Sequence, residues 1–336
     1  MQTRPLGQSG IQASVVGFGA WAIGGWMWGG ADERQSIAAI HRAIDLGMNL
    51  IDTAPMYGYG LSEEIVGRAI KDRRDKVVLA TKCGLIWYRE EGEFFFYADE
   101  RGISAGPGPY KIYRCLRPES IREEIEKSLS RLQTDYIDLY QTHWPDPTTP
   151  VEDTMACLLR LKDEGKIRAI GTSNVSIDLL ERYRKLGPVD STQEKFSMID
   201  VGIVEAGLTE YCQQHNIAIL AYSPLAQGLL TGKVSPDREF PEGDQRRTKP
   251  RFSRENRLRI QALLDELRPY AEKHGLTLSQ LVIAWTVAQP GITHALCGAR
   301  TPEQVEENAR AGQVQLPAED VSAINQIAAK HRPAIQ

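Results

Sequence analysis

The feature that most constrains the fold of this chain is a regular alternation, beginning at Val15, of short β-branched runs with longer segments of helical period. This alternation is typical of repeated βα units, which build a parallel sheet. The predicted strands are residues 15–18, 50–52, 77–81, 136–141, 169–172, 191–193, 218–221 and 294–297. Because eight βα units close a barrel, the sequence predicts an α/β fold of the (β/α)8 TIM-barrel type.

The predicted helices have boundary signals of their own. Asp32 precedes a helix that ends near Gly47. Ser62 is predicted to cap a second helix at its start, and Pro118 lies in the first turn of a third. The remaining predicted helices are residues 151–165, 177–187, 203–215, 278–289 and 302–311. A helix is therefore expected after each strand.

Three segments lie outside the repeat. Residues 1–13 are predicted to form a hairpin that plugs the bottom of the barrel. Residues 84–117 and 224–255 are long for connections in a compact domain, and both follow strand ends, where the active sites of barrel enzymes are built. Since no internal repeat or linker is visible, residues 1–336 are predicted to form a single domain.

Composition and charge argue against several classes of protein. A formal net charge of −4 gives no electrostatic footprint for a polyanion, so neither nucleic acid nor an anionic membrane is expected as a partner. The five cysteines are odd in number and form no CxxC pair, which argues against both disulfides and a metal site. Residues 1–10 lack the apolar segment of a secretory signal. The sequence thus predicts a cytoplasmic protein that binds no metal.

Four polar residues stand at or just beyond the ends of neighbouring predicted strands. They are Asp52, Tyr57, Lys82 and His143. Each taken alone has a plain interpretation, such as a turn former, a loop aromatic or a surface charge. Together they are predicted to lie on one rim of the barrel, where a hydrophobic core would have no use for them.

Reduction of a carbonyl group explains this combination. A carbonyl that accepts a hydride becomes an alkoxide and needs a proton donor, which Tyr57 can supply. Lys82 beside the phenol is expected to lower its pKa, and Asp52 is expected to keep the lysine charged. His143 can donate a hydrogen bond that orients the carbonyl oxygen.

Several ordered motifs resemble those of the aldo-keto reductases. Residues 47–58, GMNLIDTAPMYG, resemble the first signature of that family. Residues 139–146, LYQTHWPD, and 166–174, KIRAIGTSN, resemble its fourth and fifth strand segments, and residues 298–304, GARTPEQ, resemble its C-terminal cofactor segment. Residues 22–30, AIGGWMWGG, are similar to those of bacterial general-stress and glycerol-oxidising members.

The resemblance implies a role for each matching residue. It implies the same four catalytic roles that the chemistry suggests. It further implies that Ser173, Asn174 and Gln193 hold the nicotinamide amide and that Tyr222 stacks on the ring. The other cofactor contacts that it implies are Trp21, Ser223, Leu225, Gln227, Gly228, Gly298, Arg300, Thr301, Gln304 and Asn308. After Gln193 the chain has Glu194-Lys195-Phe196, where the family commonly has an aromatic residue with a hydroxyl group.

The cofactor phosphates need a site other than a Rossmann turn, because no GxGxxG motif opens the chain. A helix predicted to begin near Pro302 offers free N–H groups to an anion, and Arg300 adds a guanidinium. The resemblance makes that anion the 2′-phosphate of NADP(H); a helix cap with a solvated arginine is the alternative. The basic stretch at residues 246–259 has two interpretations, a solvated surface or a loop that closes over the pyrophosphate.

The predicted function is NADP(H)-dependent interconversion of small aldehydes or ketones and alcohols. One alternative is a redox-sensing regulatory or scaffold protein of the same fold, like the potassium-channel β subunits. Another is a barrel aldolase that uses Lys82 as a Schiff base. The expected partner is a small-molecule substrate, and the expected state is a monomer or a weak homo-oligomer. The sequence leaves open the substrate, the physiological direction and the strictness of the preference for NADP over NAD.

Overall fold

The computed structural model describes residues 1–104 and 106–335. Its strands, in chain order, are β1 (Thr3–Pro5), β2 (Gln12–Ser14), β3 (Val16–Gly19), β4 (Leu50–Asp52), β5 (Val78–Cys83), β6 (Leu85–Ile86), β7 (Glu93–Ala98), β8 (Tyr110–Arg114), β9 (Ile137–Thr142), β10 (Ile167–Ser173), β11 (Ser191–Lys195), β12 (Ala218–Tyr222) and β13 (Ile292–Gly298).

Eight of these strands form a closed parallel barrel, in the order β3, β4, β5, β9, β10, β11, β12 and β13, with β13 paired to β3. Each of the eight predicted strands is present, so the predicted TIM barrel is confirmed. The barrel strands are almost entirely buried, as expected when helices cover the outside of a parallel sheet.

The helices are α1 (Glu33–Asp45), α2 (Leu61–Ile70), α3 (Pro118–Leu132), α4 (Val151–Asp163), α5 (Ile177–Leu186), α6 (Gly202–Glu205), α7 (Leu208–Gln214), α8 (Arg254–Lys273), α9 (Leu278–Val287), α10 (Pro302–Ala311) and α11 (Ala318–His331). The helix predicted at residues 203–215 is divided into α6 and α7, because Gly207 between them is left-handed (φ 74°). The sequence interpretation missed α8 and α11. None of the helices in the described residues is long and apolar enough to cross a membrane.

Of the two side-chain caps predicted at helix starts, one is confirmed and the other is wrong. Asp32 caps α1 as predicted, since its side chain accepts a hydrogen bond from the N–H of Gln35. Ser62 does not cap α2, which begins at Leu61 after a left-handed Gly60. The Ser62 hydroxyl instead donates to the carbonyl oxygen of Ala20 at 2.8 Å, so that it joins the helix to the loop after β3.

The predicted N-terminal hairpin is confirmed, with β1 and β2 paired antiparallel. Leu6, Ile11 and Ala13 from the hairpin pack in one buried cluster with side chains from the barrel interior, including Leu50 and Leu139. The hairpin therefore closes one end of the barrel and leaves the opposite rim, at the carboxyl ends of the strands, to form the site.

The two long connections have structure of their own at that open rim. Residues 84–117 contain the antiparallel sheet β6-β8-β7, and residues 224–255 contain three short 3-10 helices, Ala226–Thr231, Gln245–Arg247 and Pro250–Phe252. The two connections meet through the N-terminal loop after β3. In that loop Met27 donates its N–H to the carbonyl of Arg101 and accepts from the N–H of Gln245.

Candidate active site

A cavity of about 890 Å³ opens at the carboxyl ends of the barrel strands. Asp52, Tyr57 and His143 line it, and Lys82 is fully buried in contact with two of them. The structure therefore brings together the four residues that the sequence interpretation singled out. The three strands β4, β5 and β9 are neighbours in the barrel and supply Asp52, Lys82 and the residue just before His143.

Lys82 is the centre of a hydrogen-bonded group of buried atoms. Its Nζ donates to Asp52 Oδ2 at 2.8 Å and Oδ1 at 3.0 Å, and to the carbonyl oxygen of Thr53 at 2.9 Å. It also donates to Tyr57 Oη at 3.2 Å. Because the phenol oxygen accepts from the lysine, its own proton is free to be donated into the cavity.

The pKa of Lys82 is held above its ordinary value. Burial lowers it, but the Asp52 carboxylate and the Tyr57 oxygen favour the ammonium and outweigh that effect. A Schiff-base lysine needs a neutral amine that reaches a substrate. The aldolase alternative is therefore disfavoured, because Lys82 is charged, fully buried and already committed to protein acceptors.

The pKa of Tyr57 is raised, which corrects the expectation from the sequence. The Lys82 ammonium does lower it, as expected, but desolvation by burial acts in the opposite direction and is the larger effect. The sequence places Lys82 near the phenol but does not show how deeply that phenol lies. Tyr57 is consequently protonated at neutral pH, the form that a proton donor must have.

His143 lies against the ring of Tyr57, with ring centroids 5.9 Å apart and an interplanar angle of 82°. Burial, together with the nearby Lys82 charge, lowers the pKa of His143 well below its ordinary value. The imidazole is therefore neutral at pH 7, so one ring nitrogen carries a proton that it can donate to a ligand. The backbone fixes its position, since its N–H donates to the carbonyl of Cys83 at 2.8 Å.

The residues assigned to the nicotinamide form a second hydrogen-bonded group beside the first. Asn174 Nδ2 donates to the carbonyl oxygen of His143 at 3.1 Å and to Ser173 Oγ at 3.0 Å, and its Oδ1 accepts from the Tyr222 hydroxyl at 2.8 Å. Ser173, Asn174, Gln193 and Tyr222 all line the cavity.

Gln193 is hydrogen-bonded to Asp52, one of the four catalytic residues. Its Nε2 donates to Asp52 Oδ1 at 2.8 Å and to Gln141 Oε1 at 3.3 Å. Gln141 is fully buried and donates to the same carboxylate at 3.3 Å. The sequence interpretation missed Gln141, although a glutamine two positions before His143 in a buried strand is a signal for such a role.

The residues assigned to the phosphates and the adenosine end lie along another wall. Those that line the cavity are Ser223, Leu225, Gln227, Gly228, Gly298, Arg300, Gln304 and Asn308. Thr301 caps α10 by accepting from the N–H of Gln304. The helix begins at Pro302, where the sequence places its start. Arg300 Nη1 lies 3.4 Å from the carbonyl oxygen of Trp28 and 3.3 Å from that of Gly30.

The basic residues at 246–259 lie in different environments. Arg246, Lys249 and Arg251 line the cavity. By contrast, Arg254 is on α8, where it forms an exposed ion pair with Asp237. Three of the seven basic residues in the stretch are therefore cavity wall, and Arg254 is solvated helix surface.

The remaining wall is aromatic and apolar. It consists of Trp21, Trp26, Met27, Trp28, Met56, Leu85, Phe95, Phe96, Ile103 and Trp144. Of these, only Trp21 was assigned to the site from the sequence, and Phe95 and Phe96 belong to the connection expected at the rim. No side chain in this set is charged, so this part of the cavity suits a neutral group.

The chain is similar to known proteins along almost its whole length. A sequence model of the Aldo/keto reductase family matches residues 15–329. An NADH-specific methylglyoxal reductase of Escherichia coli is 42% identical over 98% of this chain and 98% of its own. The Schizosaccharomyces pombe aldo-keto reductase yakc, whose name specifies NADP(+), is 33% identical over 96% of this chain and 90% of its own. The solved structure of the glycerol dehydrogenase AKR11B4 from Gluconobacter oxydans aligns with a TM-score of 0.85 at 39% identity, covering 98% of this chain and 96% of that chain.

Proposed function

The chain belongs to the aldo/keto reductase family, and from that premise we propose that it interconverts small neutral carbonyl compounds and alcohols, with NADP(H) as cofactor and Tyr57 as the proton donor. The observation that carries the proposal is the buried contact of Lys82 with both Asp52 and Tyr57 at the cavity. This contact supports proton transfer at one defined atom, the phenol oxygen.

The cavity suits a dinucleotide of high negative charge. Lys195, Arg246, Lys249 and Arg251 all line it, and the pKa of Lys249 is lowered by burial and by its cationic neighbours Lys195 and Arg251. Asp244 pairs with Arg246, and Asp200 pairs with both Lys195 and Arg251, so the four cations exceed these two carboxylates by two charges. Such an excess of positive charge favours a polyanion such as a pyrophosphate. Gln227 and Gly228, which also line the cavity, both adopt left-handed backbone conformations.

The nicotinamide, when bound, supplies or accepts the hydride, and the protein supplies the proton. In reduction, Tyr57 gives its proton to the carbonyl oxygen as that oxygen becomes an alcohol. Lys82 stabilises the phenolate that remains, and Asp52 keeps the lysine charged. The neutral His143 donates a hydrogen bond that orients the carbonyl oxygen.

Opposite pH dependences of the two directions test this proposal. Reduction needs the Tyr57 phenol, which persists below its pKa, and oxidation needs the phenolate, which forms above it. Because that pKa is raised, we expect the reductive kcat to be level across neutral pH and to fall only in alkali, while the oxidative kcat rises. Both rates should be measured at saturating cofactor. A parallel rise or fall in the two directions would contradict the role of Tyr57.

Arg300 is expected to decide the preference between the two cofactors. Charge-assisted hydrogen bonds to a phosphate contribute about 1.5–3 kcal/mol, so Arg300→Ala should weaken NADPH binding roughly 10- to 100-fold and leave NADH binding nearly unchanged. Fluorescence titration with each cofactor measures this. Arg310→Ala, at an exposed position on α10, the helix that follows Arg300, is the matched control. Equal weakening of NADPH and NADH would show that Arg300 does not bind the 2′-phosphate.

The uncharged aromatic wall predicts selection against charged substrates. A carboxylate placed against Trp26 or Trp144 would be desolvated against uncharged side chains, and the guanidinium of Arg114, which lies 4.7 Å from the ring centroid of Phe95, is already paired with Glu93. We expect kcat/KM for para-carboxybenzaldehyde to be lower than for para-methylbenzaldehyde by about 10-fold or more, since burying an unpaired charge costs several kcal/mol. Steady-state kinetics with the two aldehydes, which are similar in size, provides the measurement. Equal values would mean that substrates do not contact this wall.

A further inference from the structure

Glu194 is a buried carboxyl group for which the proposed mechanism has no use. It is only 4% exposed, on the barrel strand β11 directly after Gln193. Among the residues that the structure describes, none forms an ion pair with it. Burying a carboxyl group away from any cation is costly, so its hydrogen bonds must account for its presence.

These hydrogen bonds come from the loop between β10 and α5 and from one neighbouring side chain. Thr192 Oγ1 donates to Glu194 Oε1 at 2.6 Å, and the N–H of Val175 donates to the same oxygen at 3.2 Å. Burial raises the pKa of Glu194 to about 7, while hydrogen bonds from the Thr192 hydroxyl and from the backbone of the loop act to lower it. The carboxyl group binds the N–H of Val175, which belongs to the peptide unit that follows Asn174, while the N–H of Asn174 itself donates to the carbonyl oxygen of Gln193 at 3.2 Å.

Asn174, which immediately precedes Val175, has an uncommon backbone conformation. Its φ is 57°, in the left-handed region that few non-glycine residues adopt, although asparagine does so more readily than most. In this conformation its side chain bonds to the His143 carbonyl oxygen, to Ser173 and to the Tyr222 hydroxyl. A change in this backbone would therefore disrupt contacts among His143, Ser173 and Tyr222, which all line the cavity.

We propose that Glu194 is a positioning residue, which fixes Asn174 in the conformation that the nicotinamide site requires. This inference rests on the proposed function, in which Asn174 and Tyr222 hold the nicotinamide. Glu194 is not among the residues that line the cavity, and it acts through the Val175 N–H that it accepts from the loop. This hydrogen bond holds the peptide unit that follows Asn174 and so helps to keep Asn174 in its left-handed conformation.

The test compares substitutions of Glu194 with a matched substitution just before the start of the same strand. Asp190 is also buried and accepts a backbone N–H, that of Ile170, at 3.0 Å, but it lies at the rim away from the cavity. Glu194→Leu removes the hydrogen-bond acceptor, and Glu194→Asp shortens the side chain by one methylene group. Glu194→Gln keeps an oxygen that can accept the N–H from the loop. Asp190→Leu is the control. Cofactor Kd, kcat, KM and Tm are measured for all four variants and the wild type.

We expect Glu194→Leu to weaken NADPH binding and to lower kcat by about 10- to 100-fold, because a small misplacement in an active site has effects of that size. Glu194→Asp should show the same changes if the leucine variant does not fold. Glu194→Gln should remain close to wild type, and Asp190→Leu should lower Tm without altering Kd or kcat.

Two results would overturn the proposal. One is a wild-type Kd and kcat in Glu194→Leu or Glu194→Asp. The other is an equal loss of activity in Asp190→Leu, which would show that general destabilisation explains both. A wild-type protein that binds no nicotinamide cofactor and reduces no aldehyde would instead overturn the proposed function, so the two failures are distinguishable.

Discussion

Tyr57→Phe is expected to remove most of the reductase and dehydrogenase activity while cofactor binding is retained. The substitution deletes only the oxygen atom that carries the transferred proton and that lies 3.2 Å from Lys82 Nζ. General acid–base catalysis contributes roughly 10²- to 10⁴-fold, so kcat should fall by at least about 100-fold in both directions. Because the group acts in the transition state, the Kd for NADPH should change little.

The measurement is single-turnover hydride transfer with NADPH and an aldehyde, alongside fluorescence titration of the cofactor. Tyr59→Phe is the matched control, since Tyr59 is two positions away and its hydroxyl donates to the carbonyl of Asp99 and not to the catalytic group. A Tyr57→Phe protein with a rate of hydride transfer near that of the wild type would remove Tyr57 from the mechanism.

Lys82→Met should cause a loss of both activity and stability. Removing one partner of a buried ion pair destabilises a protein by roughly 3–5 kcal/mol, and here it leaves the Asp52 carboxylate buried without its cation. The rate should fall because the phenolate that forms during reduction no longer has a positive charge beside it. Urea unfolding and kcat measurements report the two losses separately.

The double variant Asp52→Asn/Lys82→Met separates the two effects. Neutralising Asp52 removes the uncompensated charge, so most of the unfolding free energy should return. Activity should not return, because the phenol still lacks its lysine. Recovery of activity in the double variant would show that Lys82 serves the fold and not the chemistry.

The barrel could be predicted from the sequence because each strand is a short buried run followed by a helix. The ends of the strands could not be predicted, because pairing with neighbouring strands decides them and local composition does not. For example, β10 starts at Ile167 and ends at Ser173, beyond the predicted 169–172 on both sides. Helix α8 was missed because its first turns are rich in arginine. Its buried Ile260, Leu263, Leu264 and Leu267 nevertheless have helical spacing.

The catalytic group could be predicted because strand ends converge at one rim, but the environment of the cavity could not. The sheet β6-β8-β7 depends on pairing between distant segments, and this pairing decides that Phe95 and Phe96 line the cavity while Phe94 is exposed. The raised pKa of Tyr57 depends on burial, which spacing along the chain does not reveal. The assigned contacts to the cofactor stay predictions.

The central claim, that the protein transfers hydride to a carbonyl group, is tested most directly with NADPH that carries deuterium at the transferable position of the nicotinamide. After incubation of the wild-type protein with a neutral aldehyde, mass spectrometry should find one deuterium on the carbinol carbon of the alcohol product, and Tyr57→Phe should yield little of it. Tight binding of NADPH without labelled alcohol from any aldehyde tested would contradict the claim. That result would favour the alternative of a redox-sensing protein with the same fold.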